Sequence, residues 1–205
     1  KYQVFKTEKY GVPQKRKRVI IVGVKKELNK EIEFPEELKS KPDLLNIVKF
    51  DMTGTIKINE EEFKKWNIPE ECILKNMDNS EEENNVHPYL KVLVEDKNPE
   101  YKSKTYDTRL SFSKRGSPIH GEIIDIRKPS KTIICTYNHQ PRLFVPLKNK
   151  NGYYLRCLLP IELKQIQGFP EDYKIEGNLK EQIVQIGNAV PPPLIKQIVE
   201  KLISL

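Results

Sequence analysis

The segment 10–23 constrains the fold of this chain more than any other, because it joins a turn, a polar strand and an apolar strand. A glycine-proline turn leads into Gln-Lys-Arg-Lys-Arg, and a β-branched run follows. In an extended chain alternate side chains share a face, so Gln14, Arg16 and Arg18 are expected to point one way and the two lysines the other. Three such planar groups can grip a phosphate, a carboxylate or a base edge. The alternative is a solvated basic edge strand.

Charge is unevenly distributed along the 205 residues, a length that suits one large domain or two small ones. Residues 1–28 hold nine basic and two acidic side chains, and residues 88–150 hold 13 and six. Residues 29–87 reverse the balance, with eight basic and 15 acidic side chains. The two basic segments are therefore candidate polyanion surfaces, and the acidic one is expected to face away from nucleic acid.

The cysteines and the hydropathy indicate the compartment. Three cysteines without metal-ligand spacing are typical of reduced thiols and predict neither a disulfide framework nor a zinc site. No apolar run approaches the roughly 20 residues of a membrane span. We therefore expect a cytoplasmic protein, and because the chain begins at Lys1 and not at Met, we expect that its true beginning has been lost.

Three segments, in order, resemble conserved blocks of the cytosine-5 DNA methyltransferases. Tyr-Gly-Val-Pro-Gln-x-Arg-x-Arg at 10–18 is similar to the eighth block. Segment 156–170, from Arg-Cys-Leu-Leu-Pro to Gln-Gly-Phe-Pro, is similar to the ninth, and Gln-Ile-Gly-Asn-Ala-Val-Pro-Pro at 185–192 is similar to the tenth. The resemblance implies the C-terminal part of a doubly wound α/β fold that uses S-adenosylmethionine, with a small, mostly β target recognition domain inserted.

This resemblance, with the composition, divides the chain into four parts. Residues 1–28 are expected to be late strands of the catalytic domain, and 29–87 an acidic connection. Residues 88–150 are expected to be the target recognition domain, and 151–205 the C-terminal helices that complete the catalytic domain.

Local patterns predict the elements within these parts. Residues 2–7 and 19–24 read as two strands, most simply an antiparallel pair. Further strands are predicted at 90–94, 123–126, 132–137 and 143–145. Helices are predicted after Asn59, from Pro160 to a glycine stop at Gly168, over 179–186 and over 194–205.

The loops of the predicted recognition domain carry the side chains that read base edges. Arginine and lysine suit guanine, and asparagine and glutamine suit adenine. The candidates for DNA contact, each of which has a solvated surface group as its alternative, are Lys114, Arg115, His120, Arg127, Asn138, His139, Gln140 and Arg142.

The resemblance also implies roles at the site. Arg18 would reach a flipped cytosine, Arg16 would support it or bind a phosphate, and Gln14 would orient the pair. Generic phosphate binding is the alternative for both arginines. The candidates for binding the donor S-adenosylmethionine, for which a plain helix C-cap is the alternative, are Gly187, Asn188, Ala189 and Val190.

The chain lacks the family's other site segments. No cysteine follows a proline, and neither a Glu-Asn-Val acid block nor a glycine-rich donor turn precedes the first block. The resemblance therefore implies a DNA (cytosine-5)-methyltransferase of a bacterial restriction-modification system, acting on double-stranded DNA in the nucleoid. Its thiol would come from an N-terminal subunit of a split enzyme or from a missing segment of this chain. A stand-alone sequence-specific DNA-binding protein derived from such an enzyme is the alternative.

Overall fold

The computed structural model describes residues 1–78, 85–95, 109–115 and 120–204. The chain forms two compact units. Unit 1 comprises Lys1–Leu44, Lys128–Cys135 and Pro160–Leu205, and unit 2 comprises Leu45–Arg127 and Thr136–Leu159. The segment 128–135 is thus a short excursion of the chain into unit 1 between two parts of unit 2.

The strands and α-helices follow one another along the chain in a mixed order. They are β1 (Tyr2–Lys6), β2 (Gln14–Lys15), β3 (Lys17–Ile21), β4 (Ile56–Ile58), α1 (Glu60–Lys65), β5 (Leu74–Lys75), α2 (Pro88–Glu95), β6 (Leu110–Phe112), β7 (Gly121–Ile123), β8 (Ser130–Lys131), β9 (Leu143–Asn149), β10 (Gly152–Cys157), α3 (Pro160–Ile166), α4 (Leu179–Asn188) and α5 (Pro192–Ile203). Short 3-10 helices occupy Thr7–Lys9, Lys26–Leu28 and Glu70–Cys72.

A two-stranded ribbon and three helices make up most of unit 1. Strands β1 and β3 pair antiparallel, with Phe5 opposite Arg18 and Val4 opposite Val19, which confirms the predicted pair. Directly opposed residues share a face. Phe5 on one face packs into a core with Leu194 and Ile198 of α5, at the 3.6-residue spacing of an amphipathic helix. Strand β2 pairs parallel with β8, so the excursion 128–135 is fastened beside the polar strand.

Unit 2 is built on a six-stranded sheet. The strand order is β4-β10-β9-β7-β6, and β5 also pairs with β9. The hairpin β9–β10 is antiparallel, whereas β5 and β7 pair parallel with β9. Its buried core includes Phe63 and Trp66 around α1 and Leu90 and Leu93 of α2.

Local chemistry sets the helix ends as the sequence indicates. The Asn59 side chain accepts a hydrogen bond from the backbone N–H of Glu61, so it caps α1 as predicted. Asn178 and Glu181 exchange side-chain bonds with each other's backbone N–H groups at the start of α4. Gly168 has a φ of +95° and follows α3, which confirms the predicted glycine stop.

Two strand predictions were wrong. Residues 90–94 lie in α2 and not in a strand. The buried Leu90 and Leu93 are three residues apart on one helix face, so this short apolar run follows the period of a helix and not the alternation of a strand. Residues 132–137 lie after β8 and form no strand, because their backbone groups bond to side chains of unit 1 and to turns.

The compact units also differ from the expected parts of the chain. Residues 29–44 belong to unit 1 and the rest of the expected acidic connection to unit 2. Strand β10, expected in the catalytic domain, is in unit 2 because it pairs with both β9 and β4. Within the described ranges, no helix has the length and apolar character needed to cross a membrane.

Candidate active site and nucleic-acid interface

Residues 14–18, which we call the polar strand, comprise β2 and the start of β3. Their side chains alternate between two faces, as the sequence predicts. Gln14 is fully buried, Arg16 is 5% exposed and Arg18 is partly exposed. The lysines between them, Lys15 and Lys17, are exposed. The polar face of this strand therefore turns into unit 1, and the basic face turns to solvent.

Arg16 joins two distant segments of the chain. Its Nη1 donates to the carbonyl oxygen of Ile133 at 2.9 Å, and its Nη2 donates to the carbonyl oxygen of Gly187 at 2.8 Å. Burial with both terminal nitrogens bound to backbone is not the arrangement of a phosphate-binding arginine. Arg16 instead fixes the end of α4 against the excursion.

Two buried glutamines complete this link. The backbone N–H of Ile133 donates to Gln14 Oε1 at 3.0 Å, and Gln14 Nε2 donates to Gln167 Oε1. Gln167, also fully buried, donates through Nε2 to the carbonyl oxygen of Ala189 at 2.6 Å. Gln14 thus orients the excursion and Gln167, whereas it was expected to orient the two arginines.

Together these bonds form a closed loop, which we call the polar circuit. It draws on all three segments that resemble conserved blocks and on the excursion. Its members are Gln14, Arg16, Ile133, Gln167, Gly187 and Ala189. The segments are distant in sequence, so tertiary structure alone brings them together.

Gly187 is needed for close packing. A Cβ built on it would lie 2.5 Å from the backbone nitrogen of Cys135 and 2.7 Å from the carbonyl carbon of Ile134. Both distances are far inside van der Waals contact, so only a glycine lets α4 approach the backbone of the excursion this closely. This approach brings the carbonyl groups of Gly187 and Ile133 within reach of the same Arg16 side chain.

The four candidate donor-binding residues differ in what they offer a ligand. The carbonyl groups of Gly187 and Ala189 already accept bonds from Arg16 and Gln167. Asn188 and Val190 are exposed, and Val190 shows 43% of its surface. A ligand at this turn would therefore meet Asn188 and Val190, while their neighbours hold the turn in place.

Arg18 lies on the same face as Phe5 and donates through Nη1 to the carbonyl oxygen of Lys17 at 2.8 Å. One terminal nitrogen is thus engaged locally on a partly exposed side chain. A guanidinium has five N–H donors, so this bond leaves capacity for another acceptor.

The three cysteines are all unpaired thiols. Burial, then the hydrogen bond to Asp125, raises the pKa of the Cys72 thiol to about 12. Burial raises the pKa of the Cys157 thiol to about 12 as well. Cys135 is half-buried beside Gly187. Nucleophilic cysteines need a lowered pKa, so neither Cys72 nor Cys157 suits that role.

The eight recognition candidates lie on unit 2, and four of them belong to its loop 136–142. Buried Tyr137 anchors this loop, since its hydroxyl donates to the Leu143 carbonyl and accepts from the Leu158 N–H. His139 and Gln140 are exposed, and both of their backbone N–H groups donate to the Thr136 carbonyl.

Arg142 and Asn138 also belong to this loop, and Lys114 and Arg115 precede it along the chain. Arg142, partly exposed, donates through Nη2 to Gln140 Oε1 at 2.7 Å. The Asn138 carbonyl accepts a bond from His87, and Lys114 and Arg115 are exposed.

Two of the recognition candidates are placed otherwise than expected. His120 is only 3% exposed, because the chain there enters the buried strand β7 and its ring is not on a loop surface. Arg127 makes two bonds to the buried carboxylate of Asp125 and one to Glu71. The bond to Asp125 raises the pKa of Arg127, whose charge compensates a buried acid.

Gln167 and Ile133 are site residues that sequence reasoning missed. Gln167 is read from the sequence only as part of a helix stop, and Ile133 takes part through its backbone. The one available signal was the position of Gln167 directly before the left-handed Gly168, inside the ninth resembling block.

A family model, C-5 cytosine-specific DNA methylase, matches residues 1–204, and the chain belongs to this family. The resemblance of the three blocks is thereby confirmed. Type II methyltransferase M.MthTI of Methanothermobacter thermautotrophicus is 28% identical over 98% of the chain and 55% of the relative. Type II methyltransferase M.Bpa9945I of Bacillus paralicheniformis is 28% identical over 89% of the chain and 46% of the relative.

Solved structures agree on the fold. A DNA modification methyltransferase encoded within a prophage of E. coli superposes with a TM-score of 0.54 at 18% identity, over 100% of this chain and 59% of that one. The likeness supports the predicted α/β methyltransferase fold. The chain spans about half the length of these relatives.

Proposed function

We propose that this chain is the part of a DNA (cytosine-5)-methyltransferase that recognises the DNA target and completes the pockets for the methyl donor and the flipped cytosine. The observation that carries the proposal is the polar circuit, which holds the Arg18 strand, the excursion and the Asn188 turn as one arrangement. These are the elements that would contact base, backbone and donor in an enzyme of this family. A bacterial type II restriction-modification system is the setting that suits the relatives.

The attacking thiolate comes from outside this chain. Carbon-5 methylation needs a thiolate that adds to carbon 6 of the extruded base. The pKa values of Cys72 and Cys157 are about 12, so a negligible fraction of either thiol is ionised at neutral pH. Cys135 follows Ile134, whereas the nucleophile of this family follows a proline in its Pro-Cys block.

Arg18 is the residue of this chain assigned to the cytosine. Its planar guanidinium can donate to the base carbonyl oxygen, while the bond to the Lys17 carbonyl limits its rotamers. Arg16 and Gln14 support it by holding the strand, and neither contacts the substrate.

The donor S-adenosylmethionine supplies the methyl group when bound, and this chain contributes one wall of its site. Exposed Asn188 can hydrogen-bond the amino-acid end of the donor, and exposed Val190 can pack beside it. The carbonyl groups of Gly187 and Ala189 keep the turn in position through the polar circuit. Most of the donor site belongs to the missing segment or subunit.

The partner docks on the outer ribbon face. This face is defined by four large apolar side chains on β1 and β3, which are Tyr2 (74% exposed), Val4 (55%), Val19 (59%) and Ile21 (79%). The opposite ribbon face is covered by α5, so one face of the ribbon is buried and the other is exposed. Contiguous exposed apolar groups of this kind mark an interaction surface.

The occupant of that face is an N-terminal segment or subunit of the same enzyme. The chain covers about half the length of its relatives, whose remaining half would supply the residues that cover this face. A stand-alone DNA-binding protein would have no use for the outer ribbon face.

DNA is read by the loop 136–142, with Lys114 and Arg115 of unit 2 as further basic side chains. Tyr137 holds the base of this loop, and Gln140 and Arg142 form a hydrogen-bonded pair on it. Amide and guanidinium groups on an anchored loop are suited to base edges, and Lys114 and Arg115 to phosphates.

The test is purification of the tagged chain from its natural host, followed by identification of the chain that accompanies it. We expect that partner to contain a glycine-rich donor turn, Pro-Cys and Glu-Asn-Val. Methyl transfer from labelled S-adenosylmethionine to duplex DNA should require both chains. Transfer by this chain alone would refute the division of labour, and a cooperatively melting, monodisperse monomer without a partner would favour the stand-alone binder.

Changes on the outer ribbon face test the docking surface. Val4→Lys with Val19→Lys should abolish co-purification of the partner, because two charges would be buried in an apolar interface. Val92→Lys is the matched control, since Val92 is 49% exposed on unit 2. Retention of the partner by the doubly substituted chain would place the interface elsewhere.

A further inference from the structure

The amide groups of Gln14 and Gln167 can point only one way in the polar circuit. At one end the backbone N–H of Ile133 can only donate, and at the other the carbonyl of Ala189 can only accept. Gln14 must therefore present its oxygen to Ile133 and its NH2 to Gln167, and Gln167 must present its NH2 to Ala189. Each N–H in this chain of hydrogen bonds therefore donates in the same direction, from Ile133 through Gln14 and Gln167 to the Ala189 carbonyl.

The Ile133 peptide is held on both sides. Its N–H, in the 132–133 peptide, donates to Gln14, and its carbonyl, in the 133–134 peptide, accepts from Arg16, so neither of the two peptide planes can rotate without breaking a buried bond. Thr132 Oγ1 also donates to the Lys15 carbonyl at 2.7 Å. From this point the chain returns to unit 2 at Thr136, where the loop 136–142 begins.

We infer that Gln167 is a positioning residue, which sets the Asn188 turn against both the Arg18 strand and the excursion that leads into the loop 136–142. It acts through Gln14 and the Ala189 carbonyl and does not contact donor or base. Through these bonds, the position of the Asn188 turn depends on the position of the excursion. This inference rests on the proposed function for its catalytic consequence, but the circuit itself can be tested in the chain alone.

The first test replaces Gln167 by Glu and by Met and measures the protection of the Ile133 amide against hydrogen exchange by NMR. A protonated glutamic acid has one O–H for the Ala189 carbonyl and one oxygen for Gln14 Nε2, so it restores the circuit, whereas the carboxylate cannot donate. Burial raises the pKa of such a carboxyl group. The protection factor of Ile133 in Gln167→Glu should therefore rise about tenfold as the pH falls from about 8 to about 6.

Matched variants separate this effect from general loosening. Gln167→Met cannot restore the circuit at any pH, so its protection factor should stay low across the same range. Gln185→Met is the control, because the side chain of the exposed Gln185 on α4 donates to the Glu176 carbonyl and takes no part in the polar circuit. Its protection factor for Ile133 should equal that of the unmodified chain.

The second test uses the complex with the partner and separates positioning from stability. Gln167→Met should raise the KM for S-adenosylmethionine about tenfold, and in Gln167→Glu the rise should disappear at low pH. A merely structural role would lower the active fraction and leave the KM for the donor unchanged.

The two readouts fail separately. A protection factor in Gln167→Glu that does not respond to pH, or an unchanged KM for the donor in Gln167→Met, would overturn the inference. If no partner restores methyl transfer, the proposed function fails, and the exchange data from the chain alone still decide whether Gln167 holds the circuit.

Discussion

Replacing Gly187 by Ala would test how closely α4 approaches the excursion. The added Cβ would lie 2.5 Å from the Cys135 nitrogen and 2.6 Å from its Cα, both of which are backbone atoms that cannot swing away. The helix or the excursion must therefore move, and the bond from Arg16 to the Gly187 carbonyl is stretched with it.

Three terms set the size of the effect. Overpacking costs about 1–3 kcal/mol, and weakening a charged hydrogen bond costs up to about 1.5–3 kcal/mol. Alanine in a helix returns about 1 kcal/mol relative to glycine. The net loss in free energy of unfolding is about 3 kcal/mol, which for a chain of this length lowers Tm by about 6–12 °C.

The measurement is thermal unfolding of Gly187→Ala beside Gly23→Ala. Gly23 is the matched control, because an added Cβ there has no heavy atom within 4 Å and its φ is not left-handed. Its free energy of unfolding should change by no more than about 0.5 kcal/mol. Equal melting of the two variants would refute the close approach of α4 and, with it, the geometry of the polar circuit.

Further experiments test separate parts of the structure. Arg18→Ala should abolish methyl transfer in the complex with the partner while duplex binding largely survives; full activity in a labelled-donor assay would remove Arg18 from the site. In a thiol-reagent assay at about pH 8, only Cys135 should react quickly, because a pKa of about 12 leaves Cys72 and Cys157 protonated, and fast reaction of all three in the folded chain would contradict their burial. Since that pKa lies above the value of an unfolded thiol, near 9, these two cysteines should favour folding up to about pH 9 and lose that contribution as the pH rises further. Asn59→Ala should lower the free energy of unfolding by about 1 kcal/mol in denaturant titrations by removing the α1 cap, and no change would mean that Asn59 does not cap it.

Short-range chemistry made several elements predictable. The alternation of Gln14, Arg16 and Arg18 follows from the pleat of a strand, and burial of the first two agrees with it. The cap at Asn59 and the stop at Gly168 depend on neighbouring atoms alone. Family membership followed from three blocks in order, which is information carried by residue identity.

The periods of short apolar runs were less informative. Residues 90–94 suit a strand and a helix equally well by hydrophobicity, and burial of Leu90 and Leu93 on one face decides for the helix. His120 reads as a loop residue until the pairing of β7 with β9 buries it.

The sequence by itself determined which side chains can bind a base, a donor or DNA, because those properties belong to single residues and their near neighbours. Only the tertiary structure showed that Arg16 donates to two backbone carbonyls inside unit 1 and that Gln167 bonds to Gln14 and to the Ala189 carbonyl. Gln14 and Gln167 are far apart in the chain, and their hydrogen bond exists only because packing brings α3 beside the polar strand. Long-range contacts of this kind depend on the whole free energy of the fold, which no local pattern encodes.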